Sequence, residues 1–374
     1  MDTLFYLSVA FILYTYLLYP VGIWLLASLR KTTQPSTICD ADCPELTVVI
    51  AAHNEAHRLQ TKINDIRSQD YPQDRIHILV VSDGSTDNTC SLLENQHDVQ
   101  TIAYTERQGK AHALNVAMAT VKTDFVVFND ARQTAAPQAL RLMIASLMQA
   151  GVGAVSAELT HLEPGTQTAS NIGLYWRYEK WIRKSESDWY AVVGATGACY
   201  AIHSRLFVPL QPGTVLDDFE IPMQIVRQGQ RVIFDGRALF YDELQKDMSG
   251  EKKRKIRTLG GNFQSFSTHP WLFSPTANPI WLSFISHKVF RLVVPYALIT
   301  TLTSSLLSNS ALIQAIALPQ LLFYGAAAAA LHNPKLNNHR ILSFARVFVE
   351  LNWIALIAGI QYWQGSQNGH WEKT

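Results

Sequence analysis

Long apolar runs lie at both ends of the chain and frame a middle region in which apolar and polar stretches alternate. The first run covers residues 4–29 and contains no charged side chain. A helix rises about 1.5 Å per residue, so a run of this length can cross a hydrocarbon layer about 30 Å thick. Three further apolar runs cover residues 292–307, 311–331 and 341–360. The pattern predicts one membrane-spanning helix before the middle region and three after it.

Charged residues beside the first run predict how the chain is oriented. Asp2 precedes the run, and Arg30 and Lys31 follow it. A cleaved signal peptide has basic residues before a shorter apolar core, so we expect an uncleaved anchor instead. Because basic residues favour the cytoplasmic side, the N-terminus is expected outside and the middle region in the cytoplasm. A bacterial inner membrane is the expected location.

The loops between the later runs agree with this orientation. Lys335 and Arg340 predict a cytoplasmic loop at residues 333–340, whereas residues 308–310 carry no charge and are expected outside. The segment HKVFR, just before the second run, is expected to form an interfacial turn. The alternative is that the four runs are core helices of a soluble protein. Four such runs at the two ends of one chain make that alternative unfavourable.

The middle region has the pattern of a sheet covered by helices. Apolar runs typical of buried strands occur in LTVVIAAHNEAHRL, RIHILVVSDGS and DFVVFNDA, and the helical stretches HRLQTKINDIRSQ and GKAHALNVAMATV lie between them. Buried strands that alternate with helices favour an α/β fold with a parallel sheet and helices on both faces. Such sheets bind ligands at the carboxyl ends of their strands.

Composition agrees with a membrane protein and narrows the range of partners. Charged residues make up only 16% of the 374 residues, whereas soluble domains carry about 25%. The net charge of +1 gives no indication of a nucleic-acid partner. Cys39 and Cys43 lie close together, but no second pair follows at metal-binding spacing, so the cysteines do not predict a zinc site.

Polar side chains follow each of the three predicted strands. Asn54 and Glu55 follow the first strand, and Asp130 follows the third. Asp83 ends the second strand and precedes Gly84, whose conformational freedom permits a tight turn. Turn formation is the alternative role for Asp83. Because all three strand ends carry polar groups, we favour a ligand site at this edge of the sheet.

Seven motifs in order resemble those of the family-2 glycosyltransferases, which are inverting enzymes of the GT-A fold. The motifs are AHNEA, SDGSTDNT, RQGKAHALN, FNDARQ, GATGACYAI, LDDFEIPMQ and RKIRTLGGNFQ. With the flanking apolar runs, they resemble the membrane-bound polysaccharide-synthase branch. The resemblance implies a transmembrane helix at residues 1–30 and a cytoplasmic GT-A catalytic domain at 44–267. An interfacial segment and three transmembrane helices would then occupy residues 270–374.

The resemblance implies roles for the residues at the strand ends. Asp83 would accept a hydrogen bond from a uracil ring N–H. Asn54 and Glu55 lie in the segment whose backbone would hold the base and ribose of the donor. Lys110 would lie near the nucleotide, where an ammonium suits phosphate. The alternative for Lys110 is a solvated lysine at the start of a helix.

A divalent cation is also implied, although this chain departs from the family pattern. Family members hold Mg²⁺ or Mn²⁺ against the donor diphosphate with a D-x-D motif, which maps onto Asp130 and Arg132. The second carboxylate is therefore missing. Either Asp130 and the diphosphate oxygens hold the cation together, or Arg132 pairs with phosphate directly.

The motif LDDFE is implied to carry the catalytic base. Asp218 maps onto the base and Asp217 onto its neighbour, and clustered carboxylates raise one another's pKa, which suits a base. The alternative is an acidic helix N-terminus. Gly194 and Gly197, in GATGACYAI, are implied to lie beside the acceptor. Their alternative role is to pack a loop before a strand.

The motif RKIRTLGGNFQ places Arg257 at the position of a diphosphate partner. The Gln and Trp that accompany this arginine in processive synthases are missing, which argues against long-chain processive synthesis. The alternative is that the basic stretch EKKRKIR contacts anionic membrane lipids.

The sequence therefore predicts a membrane-anchored glycosyltransferase. It would move a sugar from a nucleotide-sugar donor, with UDP as the expected nucleotide, to a polysaccharide or lipid acceptor with inversion. A first alternative is a catalytically inactive binding or scaffold protein, which the arginine at 132 and the missing Trp favour. A second alternative, a transporter, is disfavoured by the large polar middle region and by an expected absence of charges from the apolar runs.

Overall fold

The computed structural model describes residues 1–30, 35, 37–162, 174–243, 248–333, 336 and 339–365. Lys31 and Lys335, two of the basic residues used above to orient the chain, lie outside the described residues.

Within these residues, eight strands form one mixed sheet with the order β3-β2-β1-β4-β7-β6-β8-β5. Strands β1 to β4 pair in parallel, as do β6 and β8, while β7 runs antiparallel to both of its neighbours. The predicted α/β fold with a mainly parallel sheet is confirmed. The reversed β7 was not expected, because an apolar run does not show the direction of its strand. The strands are β1 Leu46–Ala52, β2 Ile76–Asp83, β3 Val99–Tyr104, β4 Phe125–Asn129, β5 Thr134–Ala135, β6 Val152–Leu162, β7 Cys199–His203 and β8 Arg231–Glu243.

Helices cover both faces of the sheet, as the sequence predicts. Successive strand residues point to opposite faces, and on β1 Val48 packs in the core layer that contains Leu59, whereas Val49 packs in the layer that contains Leu114. The helices are α1 Asp2–Ser28, α2 Ala56–Arg67, α3 Thr89–Glu94, α4 Lys110–Thr120, α5 Ala139–Leu147, α6 Leu174–Trp189, α7 Asp217–Arg227, α8 Met248–Thr268, α9 Trp281–Leu306, α10 Ala311–His332 and α11 Arg340–Trp363.

Four helices in the described part of the chain, α1, α9, α10 and α11, are long and apolar enough to cross a membrane. Helix α9 begins at Trp281, well before the predicted run, and the expected interfacial turn at HKVFR is wrong, because this segment is helical. His287 and Arg291 from this segment contact Glu186 and Glu179 of α6. Since buried charges are tolerated when they are paired, the helix continues through them.

The expectation that the apolar segments hold no charged residue is wrong as well. Lys288 and Arg291 lie in α9, and Arg346 and Glu350 lie in α11, where Arg346 Nε is 3.8 Å from Glu350 Oε2. Ionisable residues in membrane segments mark functional or paired positions more often than lipid-facing ones. These four residues therefore indicate that the junction between the long helices and the sheet is a candidate functional region.

Helix α6 joins the long helices to the sheet region. The hydroxyl of Tyr19 in α1 donates to Glu186 Oε1 of α6 at 2.6 Å. Tyr14 in α1 hydrogen-bonds Ser286 of α9 at 2.8 Å, and the rings of Phe11 and Phe290 lie 4.9 Å apart. Helices α1, α6 and α9 thus form one junction beside the sheet region.

Candidate active site

The loops after β1 and β2 are tied together by Asn54. This residue has a φ of 57°, a left-handed conformation that asparagine tolerates better than most residues. Its Oδ1 accepts from the backbone N–H groups of Thr86 at 2.7 Å and Asp87 at 3.2 Å. The N–H of Glu55 donates to Thr89 Oγ1 at 3.0 Å. Asn54 and Glu55 thus fix the shape of the loops to which the sequence assigns base and ribose binding.

Asp83 anchors the turn that leads into α4. Its side chain is fully buried, and its two oxygens accept from the backbone N–H groups of Gln108 at 2.7 Å and Gly109 at 2.8 Å. Gly84 has a φ of +60°, and a Cβ there would lie 2.6 Å from the backbone nitrogen of Arg107. The Asp83 carboxylate can bind these N–H groups only if the turn lies close to the end of β2. Only glycine at position 84 leaves room for the turn to do so. Binding of uracil by Asp83 stays a prediction.

Lys110 at the start of α4 connects two carboxylates. Its Nζ donates to Asp130 Oδ1 at 2.9 Å and lies 3.0 Å from Asp217 Oδ1. Burial opposes the charge of Lys110, but Asp130 and Asp217 outweigh it and hold the pKa above its ordinary value. The other oxygen of Asp217 accepts from the hydroxyl of the buried Tyr200 at 3.0 Å. Lys110 is therefore a fixed cation and not a solvated surface lysine.

Asp218 differs from its neighbour in its surroundings. Burial, followed by the charge of Asp217, raises the pKa of Asp218 to about 6. A Cβ on Gly197 would lie 2.8 Å from Asp218 Oδ2, and the N–H of Ala195 donates to the backbone oxygen of Asp218 at 2.7 Å. Gly194, with a φ of +83°, shapes the same turn. The two glycines predicted to lie beside the acceptor therefore shape the loop that packs against the predicted base.

The guanidinium of Arg132 is already engaged in an ion pair. It donates to Asp242 of β8, which is 3% exposed, and the side-chain amide of Gln133 lies 3.3 Å from the same carboxylate oxygen. Direct pairing of Arg132 with phosphate would compete with this ion pair. Sequence reasoning missed Asp242, although its position near the carboxyl end of a strand was a usable signal.

A cavity of about 1000 Å³ brings most of the predicted residues together. Among the described residues that line it, Asn54, Glu55, Asp83 and Gly194 are absent, although Gln108 and Gly109, the partners of Asp83, are present. The predicted residues in the lining are Lys110, Asp130, Gly197, Asp217, Asp218 and Arg257.

The cavity extends beyond the sheet to the long helices. Arg183 of α6, Lys288 of α9, and Arg346 and Glu350 of α11 also line it. Sequence reasoning missed these four residues. Charged side chains next to or inside apolar runs were the signal that could have found them.

The described residues could bind a divalent cation only together with oxygen atoms supplied by a bound ligand. Among the described residues, no group of three His, Cys, Asp or Glu side chains converges on one point. Asp130 uses one oxygen for Lys110, and its side chain remains 36% exposed. One carboxylate can contribute to a Mg²⁺ or Mn²⁺ site when phosphate oxygens supply further ligands.

Residues 47–207 match the family model described as Glycosyl transferase family 2. This segment is a family 2 glycosyltransferase domain. The glycosyltransferase domain contains the strand-end residues from Asn54 to Asp130 and the two glycines predicted to lie beside the acceptor, Gly194 and Gly197. Asp217, Asp218 and Arg257 lie beyond the matched segment. The roles of all the predicted site residues stay predictions.

Curated relatives include a protein named as a glycosyltransferase and one named as a polysaccharide synthase. The chain is 22% identical to "Probable glycosyltransferase YdaM" of Bacillus subtilis over 234 residues, which cover 59% of this chain and 56% of that protein. It is 28% identical to "Poly-beta-1,6-N-acetyl-D-glucosamine synthase" of Staphylococcus epidermidis over 89 residues, which cover 23% and 21%. The chain thus spans about half the length of the first relative and a fifth of the second.

A solved structure resembles nearly the whole chain. "Mannosyltransferase PcManGT from Pyrobaculum calidifontis in complex with GDP-Man and Mn2+" superimposes with a TM-score of 0.74 at 23% identity, covering 97% of this chain and 100% of that one. At this identity the likeness shows the fold. The predicted family and the predicted GT-A fold of the glycosyltransferase domain are therefore confirmed.

Proposed function

We propose that the chain is a membrane-anchored, inverting glycosyltransferase. It transfers a sugar from a nucleotide-sugar donor, with UDP as the nucleotide, to a polysaccharide or lipid acceptor. The observation that carries the proposal is the pairing of two unlike carboxylates in one cavity: Asp217 is held by Lys110, while Asp218 has a pKa of about 6. A carboxyl group whose pKa is raised toward neutrality is typical of acid–base sites.

Asp218 acts as the general base in this proposal. It takes the proton from the acceptor hydroxyl while that oxygen attacks the anomeric carbon from the face opposite the nucleotide. The bond from the anomeric carbon to the diphosphate oxygen breaks, and its electron pair leaves on the diphosphate. The cations of Lys110 and Arg257 stabilise that negative charge.

Asp130 is the residue that would hold a Mg²⁺ or Mn²⁺ ion together with the donor. The likeness to a fold neighbour solved with Mn²⁺ supports this assignment. When bound, the cation neutralises the charge of the leaving diphosphate. Lys110 already contacts Asp130, so we expect cation affinity to be weak without donor and to rise when donor supplies further oxygens.

The long helices support membrane anchoring. Apolar side chains on α1 and α10, such as Leu7, Leu17, Leu318 and Leu322, are more than half exposed. Apolar surface of this extent is typical of contact with lipid. We infer a catalytic unit at residues 44–267 on the cytoplasmic side of a bacterial inner membrane, with residues 1–30 and 270–374 as its membrane parts.

The deciding experiment is a donor panel with the full chain in phosphatidylcholine nanodiscs. UDP-linked and GDP-linked sugars are supplied one at a time, and release of nucleoside diphosphate is measured with and without membrane extract as a source of acceptor. We expect release from a UDP-sugar, stimulated by the extract. Binding of UDP without release from any donor would favour the inactive scaffold instead.

A further inference from the structure

A second cavity, of about 680 Å³, lies apart from the candidate active site and shares no lining residue with it. Its lining comes mainly from the last turns of α6, from β8 and from the segment that follows α1. We call it the basic cavity, because its described lining holds five basic and three acidic residues. The basic residues are Arg30, Lys180, Lys184, Arg231 and Arg237, and the acidic residues are Glu158, Asp188 and Asp235.

Each of the three acids forms an ion pair with a basic residue of the same cavity. The pairs are Glu158 with Lys180, Asp188 with Lys184 at 2.7 Å, and Asp235 with Arg237 at 2.7 Å. Within the described part of the chain, Arg30 and Arg231 form no ion pair, although the charge of Asp188 also acts on Arg231. The basic cavity therefore keeps two positive charges that its own acids do not match.

The end of α6 holds both of these arginines. Arg30 donates to the backbone oxygen of Trp189, and its guanidinium carbon lies 4.4 Å from the centre of the Trp189 ring. Arg231 donates from Nε to the backbone oxygen of the next residue, Tyr190, at 2.7 Å, and from its terminal nitrogen to that of Ser187 at 3.1 Å. Burial lowers the pKa of Arg231, and the charge of Arg30 lowers it further. The two cations are thus close enough to repel each other.

Capping of α6 is the alternative role for the two arginines. The carbonyl oxygens at a helix C-terminus carry only partial negative charge, so they do not neutralise two guanidinium groups. A guanidinium has five N–H donors, of which these contacts engage one on Arg30 and two on Arg231. Donors and positive charge therefore remain for an anion. Phosphate suits them, because its oxygens can accept from both groups.

The basic cavity begins where the apolar surface of α1 ends. Trp24, Leu25 and Leu29 are exposed, and Arg30 is the next residue. The ring of Trp181, which lines the cavity, lies 6.4 Å from that of Trp24. Tryptophan and arginine at the end of an apolar helix are typical of the boundary between hydrocarbon and water. A ligand with an anionic head and an apolar tail can therefore use the cavity and the surface of α1 together.

We propose that the basic cavity binds the headgroup of an anionic membrane phospholipid. Arg30 and Arg231 hold its phosphate, and its acyl chains lie beside Leu25 and Leu29. A zwitterionic headgroup would bring a further cation to two arginines that already repel each other. This lipid is a bound membrane component and not an acceptor, because Asp218 lines the other cavity. The lipid site goes beyond the proposed function and depends only on the membrane anchoring within it.

The test titrates the purified full chain in nonionic detergent with three probes: dihexanoylphosphatidylglycerol, dihexanoylphosphatidylcholine and inorganic phosphate. Calorimetry measures the binding. We expect the phosphatidylglycerol to bind at least about tenfold more tightly than either of the others, since only it combines a net negative charge with apolar chains.

Arg30→Gln and Arg231→Gln should each weaken binding of the phosphatidylglycerol by about tenfold or more. Arg205→Gln is the matched control, because Arg205 is an exposed arginine that follows β7 and lines neither cavity. Its affinity for the phosphatidylglycerol should equal that of the wild type.

Unfolding temperatures and UDP titrations show whether each variant is folded. Arg231 also supports the end of α6, so Arg30→Gln, at an exposed residue, decides the matter if the Arg231 variant unfolds. Equal binding of the phosphatidylcholine would overturn the role of the charge, and equal binding of inorganic phosphate would overturn the lipid. Unchanged phosphatidylglycerol binding by Arg30→Gln would overturn the site. Failure of the wild type to bind UDP would count against the proposed function instead, while the phosphatidylglycerol titration would still report on the basic cavity.

Discussion

Adjacent carboxylates at the start of α7 differ because their contacts differ. Asp217 has two good partners, the ammonium of Lys110 and the hydroxyl of Tyr200. Asp218 is sheltered and faces the charge of Asp217, so its proton is held more tightly. The raised pKa makes the ionised form of Asp218 more basic than an ordinary carboxylate, so Asp218 is a candidate for removing a proton near neutral pH.

Replacing Asp218 by asparagine should separate binding from chemistry. We expect Asp218→Asn to lower sugar transfer by about 10²- to 10⁴-fold, the usual contribution of a general base. UDP affinity should stay close to wild type, since the change removes a charge without removing bulk. Transfer assays and UDP titrations measure the two effects. Asp188→Asn, an acid of α6 that pairs with Lys184, serves as the control, and near-normal turnover by Asp218→Asn would refute the assignment.

The pH dependence of transfer should follow the same carboxyl. A base must be ionised to accept a proton, and the pKa of Asp218 is about 6. The value of kcat/KM should therefore be level above pH 6 and fall roughly tenfold for each pH unit below it. UDP affinity measured at pH 5 and pH 7 controls for loss of the donor site. An acid limb that begins near pH 4 would show that Asp218 is not the group that titrates.

At the scale of elements, the loop before β7 and the first turn of α7 form one unit. Gly197 leaves space for the Asp218 carboxylate, and a Cβ at this position would lie 2.8 Å from Oδ2. Gly197→Ala should displace the carboxylate and lower transfer by about tenfold or more, because small misplacements of reacting groups are costly. The apparent unfolding temperature and UDP affinity should change little.

Gly325→Ala provides the matched control for this change. Gly325 lies in α10, and a Cβ there has nothing within 4 Å. The alanine should leave both transfer and stability near wild type. Equal activity of the Gly197 and Gly325 variants would mean that the loop before β7 tolerates movement of the Asp218 carboxylate.

Strands β1, β2 and β4 could be predicted because each is a continuous apolar run that ends in polar residues. The place of Asp83 at a strand end followed from this pattern. Its partners could not be predicted, since Gln108 lies 25 residues further along and meets Asp83 only when the chain folds. The pairing of Arg132 with Asp242, across a separation of 110 residues, was missed for the same reason. Local pattern identifies elements, whereas long-range packing decides which charges meet.

At the scale of the whole molecule, His287 connects the long helices to the sheet region through α6. Its two ring nitrogens contact Glu186 and Glu179, and Glu186 is 1% exposed. His287→Gln should leave at least one buried carboxylate without its partner and destabilise the fold by roughly 3–5 kcal/mol. Thermal unfolding in nanodiscs measures the effect as a lower unfolding temperature.

His332→Gln is the control for the His287 variant. His332 is exposed at the end of α10, and its ring contacts the backbone oxygen of Ala328 at 3.0 Å. This variant should unfold at the wild-type temperature. If the His287 variant does so too, the network does not hold the two parts of the molecule together.

The contacts between α1 and α9 have a consequence for synthesis. A ribosome makes α1 first, and the segment from Ser28 to Trp281 must follow before its partner begins to emerge. At about 5–20 residues per second, the delay is on the order of 10 to 50 seconds. Throughout that interval Tyr14 has no Ser286 and Phe11 has no Phe290. The contacts between α1 and α9 therefore form only after the sheet region has been made, whereas Tyr19 of α1 can already meet Glu186 of α6 while the chain is still growing.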